Sequence, residues 1–322
     1  EKRMSAMDEA GKCIVCGTCV ADVLVRPIDL TRPIGGGRLF HVDPIAVTTG
    51  GIVCNTGTGL RRLGVGVSAA SLIGADLWGG LIRDRLAAEG IDAAAVEVHR
   101  ELATSTTAVL IEGGGERSFA HHVGAPGALD IAYVRRQSGV FARHSLAIVG
   151  YVGLLPALEP CLAEALGMIK AAGCKVAVET GGSGGTLAAV APALPLVDFY
   201  VPSLDEARHQ TALEAPREII DCYRSHGARG LVGVKLGARG VLLSPVADEF
   251  LEIPCVAAPG PVADTTGAGD AFLAGLFAGI LRGMPIRDAG LLGAATAACC
   301  VTGVGATAGL RSFAETRRLA GI

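Results

Sequence analysis

The sequence predicts an α/β fold: a three-layer α/β/α sandwich whose central sheet is mainly parallel, with a small β-sheet attached as a lid. Three observations carry that expectation. From about residue 146 onward, strand-like apolar runs alternate with helix-like ones, the pattern of a parallel sheet covered on both faces. Upstream, β runs follow one another without helices of their own, which calls for a second, smaller sheet. The composition supplies the third: 46 glycines, 50% hydrophobic and only 4% aromatic residues in 322. A core so poor in rings must be built from Ala, Val, Leu and Ile, and small side chains let helices approach a sheet closely. Glycine stands at about twice its usual share. There is no G-X-Y period and proline is ordinary at 15, so collagen is excluded. Half-apolar composition with 18% charge excludes a disordered chain. Length sets a prior of one large domain or two. The reading is a single domain over 12–322, a lid from about 20–48 and 104–122, and a tail over 1–11.

Each element follows from its local pattern. Residues 12–25 read as a buried strand running into an alternating one, and 38–48 as a second β segment after a turn over 33–37. Residues 51–63 read as helix and 66–73 as a short apolar strand. The span 77–89 is an amphipathic helix ended by Gly90, which supplies the left-handed cap. Residues 106–111 and 116–121 form a hairpin across a glycine turn at 112–115. Strands are then expected at 146–149, 175–179, 199–201, 230–235 and 240–244. Helices are expected at 158–172, 204–211, 216–226, 268–282 and 286–300.

Charge and cysteine narrow the partners. The net charge is -3 and no basic run exceeds two residues, so no nucleic-acid partner is expected. The first dozen residues are polar and lack the apolar core of a secretory signal. Together with 10 scattered cysteines, this predicts reduced thiols and a cytoplasmic protein. Residues 289–310 are free of charge but rich in glycine and threonine, and read as a buried helix and loop with no membrane partner. Cys13, Cys16 and Cys19 have a C-x2-C-x2-C spacing that invites a metal or cluster. A strand, however, sends Cys13 and Cys16 to opposite faces, which favours core packing.

The chemistry concentrates in Asp264-Thr265-Thr266-Gly267-Ala268-Gly269-Asp270, a loop that opens an apolar helix. Small residues at 267–269 let backbone N–H groups converge at the positive end of the helix dipole, an anion site. Asp270 in the first turn has two readings, a capping carboxylate or a general base beside a bound phosphate. No G-x-G-x-x-G follows the first strand and no G-x-x-x-x-G-K-[ST] occurs, so two other nucleotide signatures are absent.

This stretch resembles the C-terminal signature of the ribokinase-like (PfkB) carbohydrate kinases, and the likeness extends from about Ile14 to Leu310. The segment from Gly17 to Asp22 resembles the family's G-x-x-x-x-D, and Gly50-Gly51-Ile52-Val53-Cys54-Asn55 its sugar-binding G-G-x-x-x-N. Residues 73–79 resemble its I-G-x-D-x-x-G, and Val234 to Gly240 the strand and turn that line the nucleotide. The resemblance implies an ATP-dependent kinase acting on a hydroxyl of a small sugar or sugar-like molecule. Asp270 would be the base, with Gly267, Ala268 and Gly269 as the anion hole. Asp22, Gly50, Gly51 and Asn55 would bind the acceptor, and Lys235, Gly237, Gly240, Thr265 and Gly305 the nucleotide. Glu206 would help hold Mg²⁺, and a monovalent cation such as K⁺ would sit near Asp264 and Gly305. The lid would close over the sugar and pair two chains into a homodimer.

Departures mark where the pattern loosens. Ser203 stands where the family's N-x-x-E motif has its amide, and Ala294 where relatives often place His or Asn near adenine. Glu179 is the nearest equivalent of an acidic or amide strand end, without an assigned role. A nucleoside kinase, with Phe40 or Phe119 against the base, and a catalytically silent sugar-binding protein are the competing readings.

Overall fold

The structure is a computed structural model that describes residues 11–31, 34–113, 116–182 and 184–322. Residues 1–10 of the expected tail and parts of the expected turns at 33–37 and 112–115 lie outside the described residues. Runs of Val, Ile, Leu and Ala without interior charges give most of the strands. These are β1 (Lys12–Gly17), β2 (Val20–Val25), β3 (Ala46–Gly50), β4 (Gly66–Gly74), β5 (Asp92–His99), β6 (Thr106–Ile111) and β7 (Arg117–His122). They continue as β8 (Leu146–Gly150), β9 (Lys175–Val178), β10 (Phe199–Tyr200), β11 (Leu231–Lys235), β12 (Val241–Ser244) and β13 (Leu251–Ile253).

Nine strands form one sheet in the order β13-β12-β11-β10-β9-β8-β1-β4-β5, with every pairing parallel except the two that β12 makes, with β11 and β13, near one edge. Strand alternation divides the core between its two faces. Ile14 and Cys16 join Tyr133, Leu162 and Tyr223 on one side, while Cys13 and Val15 join Ile52, Phe272 and Phe277 on the other. The first face is covered by the helices Leu162–Ala171, Leu204–Thr211 and Pro216–Ser225. The second is covered by Gly51–Arg62, Leu77–Ala88, Ala268–Leu281 and Ile286–Cys300. The last two touch through small residues: a Cβ at Gly275 would lie 2.6 Å from the Gly293 Cα. The four remaining strands make a separate sheet, β3-β2-β6-β7.

The expected 12–25 strand is two strands in different sheets. The chain leaves the large sheet at Gly17, where φ is +146° and a Cβ would fall 1.3 Å from the Gly150 carbonyl oxygen. Of the second β segment, expected at 38–48, only 46–48 is strand, and β3 runs on to Gly50. Residues 38–45 carry β-favouring residues such as Leu39, Phe40 and Val42 but have no ladder partner among the described residues, and residue preference alone does not make a strand. The strands β5 and β13 and the helix Phe313–Ala320 were not expected. β5 shows only a short alanine-rich run between charges at a sheet edge, and the final helix is short and charged. The 289–310 segment is the end of the helix Ile286–Cys300 followed by turns, and no helix among the described residues is long and apolar enough to cross a membrane.

Candidate active site

The helix Ala268–Leu281 starts at Gly267, whose φ is +74°. A Cβ there would lie 2.4 Å from that of Ala306, so the loop closes only on glycine. The first N–H groups of the helix lack intrahelical acceptors and carry the positive end of its dipole. Asp270 projects from this first turn and is buried, yet it does not cap the helix. Its Oδ2 accepts from Asn55 Nδ2 at 2.9 Å and from the Tyr151 hydroxyl at 2.6 Å, and its Oδ1 from Thr56 Oγ1 at 3.2 Å. Burial pushes its carboxyl upward, while those donors and the charge of Lys235 pull the other way.

Asp264 ties the loop down. Its Oδ1 accepts from the N–H and hydroxyl of Thr266 at 2.8 and 2.7 Å, and its Oδ2 from the Gly305 N–H at 2.8 Å. Arg117, from β7 of the small sheet, pairs with Asp264 at 2.6 Å, with side chains only 17% and 9% exposed. The same guanidinium donates to the hydroxyls of Thr265 and Thr266. Burial works upward on Asp264, but these hydrogen bonds and the Arg117 charge hold its carboxyl below the usual range.

Across from the helix start, Lys235 at the end of β11 meets Glu179, just beyond β9, at 2.8 Å. The two side chains are 11% and 6% exposed. Burial opposes the Lys235 charge, but the carboxylates of Glu179, Glu206 and Asp270 outweigh it and the net shift is upward. Burial also pushes Glu179 up to about 8. Its Oε2 is buried with no partner among the described residues. Glu206 belongs to a capping box: Ser203 Oγ accepts from the Glu206 N–H at 3.3 Å, and the Ser203 N–H donates to Glu206 Oε2 at 2.7 Å. The serine that departs from the family pattern is therefore a helix cap.

On the small sheet, Asp22 pairs in register with Thr48 of β3 and Thr107 of β6. Burial pushes its carboxyl up to about 6, against a hydrogen bond from Thr107. A Cβ at Gly50 would lie 2.1 Å from Asp22 Oδ2, so this glycine makes room for the carboxylate. Gly51, at φ +76°, passes close to the Thr18 carbonyl. Asn55 gives its amide N–H to Asp270, and its buried Oδ1 has no partner among the described residues.

These groups line three adjoining cavities. One of about 420 Å³ under the small sheet is bordered by Asp22, Gly51, Asn55, Tyr151, Asp270 and Gly305. The next, about 550 Å³, holds Glu179, Glu206, Lys235, Thr265, the 267–269 loop and again Tyr151 and Asp270. A third, about 450 Å³ and mostly apolar, runs from Lys235, Gly237 and Gly240 to Phe272, Ala294 and Val301. Asp270 thus stands where the first two meet. Gly50 lies behind Asp22 and lines none of the three. Sequence reasoning missed Tyr151, Thr56 and Arg117. Tyr151 directly follows β8, and the carboxyl end of a parallel strand is where ligands bind in open α/β sheets.

A family model described as pfkB family carbohydrate kinase matches residues 13–312. Among curated relatives, the chain is 29% identical over 286 residues to a 1-phosphofructokinase of Haloferax volcanii, covering 87% of this chain and 88% of that one. It is 26% identical over 322 residues to a ribokinase of Schizosaccharomyces pombe, covering 94% and 95%. Among solved structures, that of Arabidopsis thaliana ribokinase complexed with ribose and ATP superimposes with a TM-score of 0.83 at 19% identity, over 98% of this chain and 100% of that one.

Proposed function

Because the chain belongs to the pfkB family of carbohydrate kinases, we propose that it transfers the γ-phosphoryl group of ATP to a hydroxyl of a small sugar or sugar-like acceptor. One observation carries the reading: Asp270 lies at the junction of two cavities, beside the helix start, with its carboxylate held by Asn55 and Tyr151. Phosphoryl transfer asks chiefly for alignment and charge stabilisation. The acceptor lies under the small sheet against Asp22 and Asn55, whose free Oδ1 suits a hydroxyl donor. Asp270 takes the proton of the attacking hydroxyl, and the N–H groups of Gly267, Ala268 and Gly269 face the transferred group. Lys235 adds positive charge beside Gly269, where a Cβ would lie 3.4 Å from Nζ. The apolar cavity past Gly237, Gly240 and Thr265, lined by small residues such as Ala294, suits the nucleotide base.

No cluster of three metal-ligating side chains exists among the described residues. That fits Mg²⁺ carried mainly by the nucleotide phosphates and water, with Glu206 and Glu179 as nearby acids. Bound there, the ion neutralises charge on the phosphates. A monovalent cation at Asp264 does not fit: Oδ1 already faces Arg117 and Oδ2 accepts from Gly305. The small sheet acts as a lid that excludes competing water. Its outer face carries the cross-strand row Val47–Val23–Ala108–Ala120, an apolar surface for a homodimer, which light scattering checks at twice the 32.6 kDa chain mass. The cytoplasm, where ATP is supplied and thiols stay reduced, is the setting this reading requires.

Asp270→Asn is expected to lower kcat by about 10²- to 10⁴-fold while ATP still binds. An active Asn variant contradicts the role of the base. The intact network around Asp270 speaks against a silent sugar-binding protein.

A further inference from the structure

We propose that Glu179 is a positioning residue that competes with the nucleotide phosphates for Lys235, holding the lysine while the site is empty and drawing it back as product leaves. The inference rests on the kinase reading and concerns the cavity of about 550 Å³ at the helix start. The other buried acids there have further partners: Glu206 is part of a capping box, and Asp270 accepts from Asn55, Thr56 and Tyr151. The Glu179 side chain hydrogen-bonds only to Lys235 among the described residues.

Phosphate calls for positive charge, and the side chains of this cavity supply little of it. Lys235 is the only Lys or Arg among the described residues that line it, against Glu179, Asp205, Glu206 and Asp270. Its Nζ is already held by Glu179 Oε1 at 2.8 Å. A triphosphate seated against the 267–269 loop therefore gains this cation only by removing it from the carboxylate. The apparent affinity for nucleotide is then reduced by the fraction of lysine that Glu179 retains.

The two partners differ in freedom. Glu179 is fixed by its backbone, whose N–H donates to the Val149 carbonyl at 2.9 Å and whose carbonyl accepts from the Val152 N–H at 3.1 Å. Lys235 carries its charge on a flexible four-carbon stem. A Cβ at Gly269 would lie 3.4 Å from its Nζ, so the ammonium already borders the helix start. The lysine is thus the partner that moves. The contact is also breakable, because a buried ion pair holds firmly only when its remaining lone pairs are satisfied. Glu179 Oε2 is buried without a partner among the described residues.

Calorimetry on the full chain tests the inference with ATP, ADP and adenosine as probes, in EDTA so that no metal ion mediates the contact. Glu179→Gln keeps the shape of the side chain and removes its charge. It is expected to bind ATP and ADP about tenfold tighter than the native chain, with adenosine unchanged. Glu179→Asp, its carboxylate one methylene farther from Nζ, is expected to gain about threefold in the same direction, and it decides the matter if the Gln variant is unstable. Lys235→Met is expected to weaken ATP and ADP. A buried carboxyl without its counterion is neutral, so adding Glu179→Gln to Lys235→Met is expected to change binding by less than about twofold. Equal or weaker nucleotide binding in Glu179→Gln, or the same gain with Lys235→Met, overturns the inference, since a residue that only supports the fold loosens the site when altered. A native chain that phosphorylates an acceptor beside a variant that binds no tighter overturns the inference alone. Tighter binding in the variant with no acceptor phosphorylated by the native chain overturns the kinase reading alone, and a native chain that binds neither ATP nor ADP overturns both.

Discussion

Asp270 gathers three side chains that sequence reasoning did not assemble around it. Asn55 and Thr56 come from the helix Gly51–Arg62, and Tyr151 from the end of β8. The tyrosine hydroxyl stabilises the ionised carboxylate, because a hydrogen bond to the charged form lowers a pKa. Tyr151→Phe removes that donor. The acid limb of the kcat/KM profile is then expected to move to higher pH, and kcat to fall about tenfold. A profile that does not move shows that Tyr151 only packs. Asp22 makes a second pH claim. Burial pushes its carboxyl up to about 6, so the ionised form, the stronger acceptor for the hydroxyl hydrogen bonds proposed here, gives way to the neutral acid as pH falls through that value. The acceptor KM is accordingly expected to rise below pH 6, and a KM flat from pH 5 to 7 contradicts the contact. Asp270 and the 267–269 triplet were legible because a loop and a helix start are written in consecutive residues. Tyr151, Thr56 and the Glu179–Lys235 pair were not, because their meaning depends on strands far apart in sequence.

At the scale of elements, the small sheet is clipped to the loop before the helix Ala268–Leu281 by one residue. Arg117 reaches Asp264, Thr265 and Thr266 at once, a fork that a lysine does not reproduce. Arg117→Ala is expected to raise the acceptor KM about three- to tenfold and to speed proteolysis within the lid, with Arg117→Lys recovering little. Unchanged KM and protease resistance in Arg117→Ala show that the lid holds without the clip. The hairpin was readable from its two β runs and turn residues, but nothing in that pattern says where an arginine on β7 ends. The same limit explains the segment 38–45: residues that favour strands suggest one, and only a partner strand makes one. The helices Ala268–Leu281 and Ile286–Cys300 were readable because glycine and alanine there serve close helix contact, seen where Gly275 meets Gly293.

Across the whole molecule, the parallel sheet brings the ends of β1, β8, β9 and β11 to one side, and the three cavities that we propose for acceptor, phosphate and nucleotide adjoin there. The lid sheet lies over the first of them, and Asp270 stands between the first and the second. Part of the glycine excess sits where this arrangement needs close backbone, at Gly17, Gly50 and Gly267. The fold was legible from alternation and composition, and the division into cavities only from the folded chain. The central claim is acceptor phosphorylation with Asp270 as the base. Mass spectrometry of the acceptor after incubation with ATP, Mg²⁺ and either the native chain or Asp270→Asn tests it most directly. The expected result is one added phosphoryl group per acceptor, with matching ADP, from the native chain and almost none from the variant. ADP formed without a phosphorylated acceptor, or equal product from both proteins, contradicts the account.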